Sequence, residues 1–195
     1  MDAQILKEIS GDLLEMDVDV IAQQCNCLTV RSHGLAKTIS EQMDIDIYKV
    51  RTPVKIEKNL SVCNDRGIPG TCQLVKNESK YPPKYVACLL AQFAPGKPQF
   101  YYRNITAYHG YRDDSYDRHQ WFRNSLDELA ENMKRKKLTT IAFPKYIGSN
   151  LAGGNWEEYY LFIKSFALKY GFMTYIVELD QLNKYNSPQY QLINK

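Results

Sequence analysis

Short apolar runs alternate with wider apolar stripes along this chain. Gln4–Ile9 reads as a short strand. Val18–Gln24, VDVIAQQ, is largely apolar, as expected of a strand buried on both faces. Gly34–Met43 places Leu35, Ile39 and Met43 at helical spacing. Thr71–Lys76 and Tyr85–Gln92 read as strands, the second apolar throughout. Asp117–Lys136 is the clearest helix, with Trp121, Phe122, Leu126, Leu129 and Met133 down one side. Leu138–Phe143 predicts a strand, Trp156–Tyr170 a helix, and Phe172–Glu178 a final strand.

Strands alternating with helices predict an α/β protein with a mostly parallel sheet between helical layers. Ligands of such sheets bind beyond the carboxyl ends of the strands. The loops after Gln24 and after Phe143 both leave such ends, so they are expected on the same edge of the sheet. Two segments depart from the alternation. Residues 51–70, with Pro53, Gly67, Pro69 and Gly70, read as an irregular excursion. Residues 94–115, with Pro95, Pro98, Tyr101, Tyr102, Tyr108 and Tyr111, read as a long loop or flap. Loops of that length are often functional, and they also serve as surface decoration. Residues 1–180 are expected to form a single domain, followed by a polar tail at 181–195.

Composition narrows the function classes. The chain has 195 residues, enough to bury a core without disulfides or metals. Its 25 basic and 22 acidic residues leave a net charge of +3, too small to predict nucleic-acid binding. No run of 18 apolar residues suggests a membrane span. The N-terminus lacks the basic start and apolar stretch of a signal peptide, so an intracellular protein is expected. An odd cysteine count, 5, fits that expectation. Cys25 and Cys27 do not have zinc-knuckle spacing, and no second pair matches them, so no metal is expected.

The stretch Ile141–Trp156, IAFPKYIGSNLAGGNW, carries the first candidate chemistry. An apolar run stops at Pro144, a loop with Gly148, Gly153 and Gly154 follows, and Asn155 opens the next helix. Strand, glycine-rich loop and helix offer free backbone N–H groups to a phosphate. Many α/β proteins turn this way without a ligand, so the meaning of the loop depends on its company.

Four separated pieces supply that company. Ser10-Gly11-Asp12-Leu13-Leu14 follows the first strand, and Gln24-Cys25-Asn26-Cys27 ends the second. His33-Gly34-Leu35-Ala36 opens the first helix, and Pro144 to Trp156 is the fourth piece. In this order and at these distances the chain resembles macro domains. Within them it is most similar to the branch of ADP-ribose-1″-phosphate phosphatases and related ADP-ribosyl hydrolases. The likeness runs from Gln4 to Leu179.

The resemblance implies a three-layer α/β/α fold with a mixed, mostly parallel central sheet. It implies ADP-ribose or a derivative as ligand and no cofactor. An ADP-ribosylated protein or a nucleic acid is a further candidate partner, and a monomer is expected. Asp12, after Gly11, matches the acid that accepts a hydrogen bond from the adenine amine, with the Leu13 N–H beside it. Asn26 matches the asparagine that holds the distal ribose, since an amide can both donate and accept. Gly34, Leu35 and Ala36 match the first phosphate loop. Ile147, Gly148, Ser149, Asn150 and Leu151 match the second, closing over the diphosphate from the other side.

Plainer readings stand beside these. Asp12 and Asn26 are also common turn and cap residues. Gly153 and Gly154 can serve helix packing, with Asn155 as N-cap, and Trp156 reads as core. The first loop lacks the glycine run of relatives, carrying Arg31-Ser32-His33-Gly34 instead. Asn150 stands where glycine is usual, and asparagine tolerates positive φ well, so the loop geometry is expected to survive. For hydrolysis, His33 is the candidate acid or base beside Asn26, since imidazole titrates near neutral pH; it reads equally as a surface residue. The second-loop acid of some hydrolases is replaced by Ala152. His119 falls inside a helix, and His109 has no assigned role. Three functions follow in order: hydrolysis at the distal ribose, ADP-ribose reading without turnover, and RNA or protein contact. The third rests on Arg103, Arg112, Arg118 and Arg123 interleaved with Tyr101, Tyr102, Tyr108, Tyr111 and Tyr116.

Overall fold

A computed structural model describes residues 5–98 and 111–180. The tyrosines at 101, 102 and 108, Arg103, His109 and the polar tail lie outside the described residues. Strands β1 (Leu6–Gly11), β2 (Val20–Asn26), β3 (Cys72–Lys76), β4 (Tyr85–Gln92), β5 (Thr140–Pro144) and β6 (Met173–Leu179) form one sheet. Its order is β1-β6-β5-β2-β4-β3. All neighbours pair in parallel except β3, which runs antiparallel to β4 at the edge. Helices α1 (Leu35–Met43), α2 (Ser115–Arg135) and α3 (Trp156–Tyr170) cover the faces.

The strands on the leading edge run past their apolar patterns. Ser10 and Gly11 still pair with Glu178 and Leu179, so β1 ends immediately before Asp12. Likewise β2 carries on to Asn26, with a register shift against β4 between Gln24 and Asn26. Asn26 is therefore a strand-end residue, one of the last groups the sheet holds rigidly.

Alternating side chains on the strands feed two cores, which makes three layers. On one face Val20, Ala22, Ala87 and Leu89 meet Phe122, Leu126 and Leu129 of α2 and Tyr159, Ile163 and Phe166 of α3. On the other face Ile21, Val86 and Leu90 meet Ala36 and Ile39 of α1 and the 3-10 turn at Leu13–Glu15. Local chemistry sets the helix ends. Asp114 caps α2 by accepting from Asp117 N at 2.8 Å. Asn155 caps α3 by accepting from Glu157 N at 3.0 Å, and Gly171 ends it at φ +76°.

At the opposite end of the sheet Asp19 ties three elements together. Its carboxylate accepts from Thr139 N at 2.8 Å, Thr140 N at 3.1 Å and Lys84 Nζ at 2.7 Å. Burial alone would raise the Asp19 pKa, but the Lys84 hydrogen bond and the two backbone N–H groups outweigh it and hold the group down to about 2. A carboxyl depressed in the folded state stabilises the fold above its unfolded value near 3.8, and that stability is lost as pH falls toward about 2. Asp19→Asn is accordingly expected to cost about 2 kcal/mol at pH 7, with the difference from wild type shrinking between pH 4 and 2. Urea unfolding at pH 7, 4 and 3 measures it; a pH-independent difference rules out the linkage.

Candidate functional site

Because β1, β2, β4 and β5 run parallel, their exit loops gather along one edge of the sheet. β2 and β5 are direct neighbours, so the loops after Asn26 and after Pro144 face each other, as the strand pattern predicted. β1 lies three positions from β2, about 14 Å away at ~4.8 Å per strand. The edge thus presents Asp12 at one end, the β5 loop in the middle and Asn26 at the other end.

Asp12 is the N-cap of the 3-10 turn, its Oδ1 accepting from Leu14 N at 2.9 Å. The cap uses one carboxylate oxygen. A Cβ added to Gly11 would meet nothing within 4 Å, so the residue before Asp12 stands clear of its neighbours.

Asn26 is 7% exposed, and its backbone and amide are tied into the turn that follows. Oδ1 accepts from Leu28 N at 3.0 Å, Thr29 N at 2.8 Å and Thr29 Oγ1 at 3.0 Å. The expectation that this amide offers both a donor and an acceptor needs correction, because the oxygen is already spent on the turn. Only Nδ2 remains to donate. Tyr48 and Arg51, which sequence reasoning missed, hold the same turn. Asn26 N donates to Tyr48 Oη at 3.1 Å. Arg51, itself buried, donates to Thr29 O at 2.7 Å and Asn26 O at 3.1 Å, with its guanidinium 4.6 Å from the Tyr48 ring centroid.

The first loop ends on Gly34, at φ +55° and ψ −133°, a conformation costly for any residue with a Cβ. Gly34 N-caps α1 without any side-chain cap. From Arg31 to Ala36 no backbone N–H meets a protein acceptor among the described residues. These donors, at the positive end of α1, suit an anion. His33 is exposed, with no hydrogen bond to a described residue.

The second loop is more self-contained. Tyr146 O accepts from Ser149 N, Ser149 Oγ and Asn150 N, at 3.0, 3.0 and 3.3 Å. Ile147 N is used by Pro144 O at 3.1 Å. Of the N–H groups from Ile147 to Leu151, only those of Gly148 and Leu151 have no acceptor among the described residues, so the cradle is narrower than the sequence suggested. Asn150 does not adopt positive φ. That conformation falls on Tyr146, at φ +67°, and on Gly148, at φ +74°, because the chain reverses one turn earlier. The two loops touch: Leu151 Cδ1 lies 3.3 Å from where a Gly34 Cβ would stand, and Leu151 is 68% exposed.

Beneath this loop the glycines serve packing. A Cβ on Gly154 would lie 2.6 Å from both Gly148 O and the Tyr159 ring. Burial pushes the Tyr159 hydroxyl up to about 12. Trp156 packs against the core and stacks edge-on with Tyr146 and Tyr160.

A buried ion pair, invisible in the sequence, fastens this loop to the β4 exit. Asp113 is fully buried at φ +56°, and Arg118 is 1% exposed. Arg118 Nε and Nη2 each donate to Asp113 at 2.7 Å. Its remaining donors reach Gly96 O at 2.6 Å, Ala152 O at 3.1 Å and Ala94 O at 3.1 Å. Asp113 also accepts from Phe93 N and Ala94 N, at 3.0 and 2.9 Å. This corrects the reading of Arg118 as an RNA contact: its charge is internal. Arg112 faces Asp114 and Asp117 at 3.8 and 3.6 Å, and Tyr111 stacks on Phe93. His119 is wedged against Tyr159 and Phe162 in the α2–α3 packing.

Other chemistries find little support. Burial pushes the Cys27 thiol up to about 12 and that of Cys72 well above its ordinary range, so neither is a ready nucleophile. Among the described residues no group of His, Cys, Asp and Glu could hold a metal ion, and no helix is long and apolar enough to cross a membrane.

No protein-family model matches the sequence, and no curated protein matches it significantly. Solved structures do. The macrodomain of Mycobacterium tuberculosis DarG is similar at 16% identity and TM-score 0.62, over 89% of this chain and 96% of that one. A Trypanosoma brucei macrodomain in complex with ADP-ribose is similar at 11% identity and TM-score 0.59, over 98% of this chain and 70% of that one. A protein of unknown function from Bacteroides thetaiotaomicron is similar at 23% identity and TM-score 0.59, over 89% and 98%. A mixed sheet in this strand order, the three helices of the described residues on its two faces and these solved neighbours together give the chain the macrodomain fold.

Proposed function

We propose that the protein binds ADP-ribose along this sheet edge. The observation that carries the reading is the pairing of two anion-ready loops on adjacent parallel strands, with Asp12 at one end and Asn26 at the other. A carboxylate suits an adenine amine through a charge-assisted hydrogen bond. The α1 N-terminus and the Gly148 and Leu151 N–H groups suit the diphosphate, without a metal. Asn26 Nδ2 suits a hydroxyl of the distal ribose. The solved T. brucei neighbour carries ADP-ribose, which supports the same ligand class here.

Turnover is the finer part of the proposal: hydrolysis at the distal ribose of ADP-ribose 1″-phosphate or of an ADP-ribosylated side chain, with His33 as acid or base and Asn26 holding the sugar. Two observations favour a reader that binds without cleaving. No described residue orients the exposed His33, and Asn26 Oδ1 is committed to its own turn. A base without a partner to fix it contributes little to proton transfer.

Calorimetry with ADP-ribose and the Asp12→Asn variant tests the binding reading. Asparagine keeps the cap, since its oxygen can still accept from Leu14 N, but presents an NH2 where adenine needs an acceptor. Affinity is expected to fall roughly tenfold while stability changes by less than about 0.5 kcal/mol. Wild type that gives no heat with millimolar ADP-ribose removes the reading; a variant that binds as tightly as wild type removes the adenine role of Asp12. Phosphate release from ADP-ribose 1″-phosphate by wild type but not by His33→Ala identifies a hydrolase, and its absence leaves the reader.

A further inference from the structure

The first loop keeps its shape without a run of glycines. Of Arg31, Ser32, His33 and Gly34, only Gly34 adopts positive φ. The stem below it is fixed by the turn at Asn26: Oδ1 accepts from Thr29 N at 2.8 Å, and Arg51 donates to Thr29 O at 2.7 Å. Above the stem, Ser32 ties the loop to the segment that follows α1. Its Oγ donates to Asp46 Oδ2 at 3.2 Å. Ser32 and Asp46 are both half-buried.

Asp46 is itself held. Its second oxygen, Oδ1, accepts from Tyr48 N at 2.8 Å. Ile45 and Ile47, on either side of it, are buried in the core beneath α1. Tyr48 Oη in turn accepts from Asn26 N at 3.1 Å, so the tether starts from the rigid end of β2. An untethered serine has another use for its hydroxyl. Serine side chains bond to backbone N–H groups a few residues on, and α1 opens shortly after Ser32, at Gly34. Such a bond would consume donors that the loop offers an anion. With Ser32 Oγ drawn onto Asp46, α1 has no side-chain cap, and the N–H groups from Arg31 to Ala36 meet no protein acceptor among the described residues.

We infer that Asp46 is a positioning residue for the first loop: through Ser32 it holds the backbone N–H groups of that loop open toward the diphosphate of the ligand. The inference rests on the reading of the first loop as a diphosphate contact. Asp46 acts through Ser32 and not by touching the ligand. Its own charge opposes a bound diphosphate, so what it contributes is the tether and not the charge.

Ser32→Ala tests it, because it removes the tether and leaves Asp46 its bond from Tyr48. ADP-ribose affinity is expected to fall roughly fivefold, the cost of ordering a released loop on binding. Affinity for adenosine, which carries no phosphate, and the melting temperature should stay at their wild-type values. Ser32→Thr keeps the hydroxyl and should bind ADP-ribose as wild type does. Asp46→Asn keeps both bonds, with Oδ1 accepting from Tyr48 N and Nδ2 donating to Ser32 Oγ, and removes the opposing charge. It should bind ADP-ribose at least as tightly as wild type. Without ligand, NMR relaxation should show lower order parameters for residues 31–34 in Ser32→Ala than in wild type. The inference is overturned if Ser32→Ala binds ADP-ribose within about twofold of wild type, if it loses adenosine as strongly, or if Ser32→Thr or Asp46→Asn binds as weakly as Ser32→Ala. Wild type that fails with ADP-ribose removes the proposed function, while relaxation still judges the tether: unchanged order parameters in Ser32→Ala overturn it.

Discussion

Arg118→Met is expected to destabilise the protein by about 3–5 kcal/mol, the range for removing one partner of a buried ion pair. The cost comes from Asp113, which is fully buried and loses both guanidinium hydrogen bonds. Methionine fills most of the volume but donates nothing, so Gly96 O, Ala94 O and Ala152 O lose a donor as well. For a chain of this size the unfolding midpoint should drop by roughly 10 °C, read by circular dichroism. Arg118→Met/Asp113→Asn removes the stranded charge and should recover part of the loss, a coupling that two independent sites would not show. A single variant that melts with wild type would refute this account of the clamp. The clamp also reaches function. Ala152 follows directly on the second loop, so ADP-ribose affinity should fall in Arg118→Met even at temperatures where it is fully folded.

What the sequence made legible follows from range. The six strands and three helices of the described residues coincide with the apolar patterning, because periodicity is a local property of a segment and its core face. The strand ends ran two residues further than the pattern at Gly11 and Asn26, since pairing with β6 and β4 is decided by the neighbouring strand. The glycine-rich loop, Asp12 and Asn26 were visible as motifs, but not their internal bonds. Nothing in Asn26 as a letter says that Oδ1 serves Leu28 and Thr29. Arg51 and Tyr48 were missed for the same reason: they act on a turn more than twenty residues away in sequence. Arg118 was misread because an interleaved Arg/Tyr texture looks alike whether its charges face water or pair inside. Asn150 was read as able to tolerate the positive φ of a usual glycine, but the loop places that conformation on Tyr146 and Gly148, where the bonds converging on Tyr146 O turn the chain.

Gly148→Ala is expected to be the most damaging single-atom change at the site. Its φ is +74°, which costs an alanine about 1 kcal/mol or more. Space is the larger problem: the new Cβ would lie 2.2 Å from Tyr159 Cε1. The ring cannot retreat, because Phe122 meets it at 4.7 Å and His119 at 5.5 Å between centroids, and the residue is 1% exposed. The loop must therefore lift, breaking the Gly154 N to Gly148 O bond of 3.0 Å and displacing the Gly148 and Leu151 N–H groups. Strain and overpacking together predict a loss of roughly 2–4 kcal/mol in urea unfolding. ADP-ribose affinity should fall at least tenfold, since backbone donors bind a diphosphate only where they are held in place. Gly11→Ala is the comparison, because its Cβ meets nothing within 4 Å and its stability should match wild type. Gly148→Ala/Tyr159→Leu separates the two causes. Removing the ring opens the space and should restore part of the affinity, while stability stays low because the core has lost an aromatic side chain. If the single variant binds ADP-ribose as wild type does, the loop does not hold the diphosphate; if the double variant regains nothing, the contact with Tyr159 is not what sets the loop.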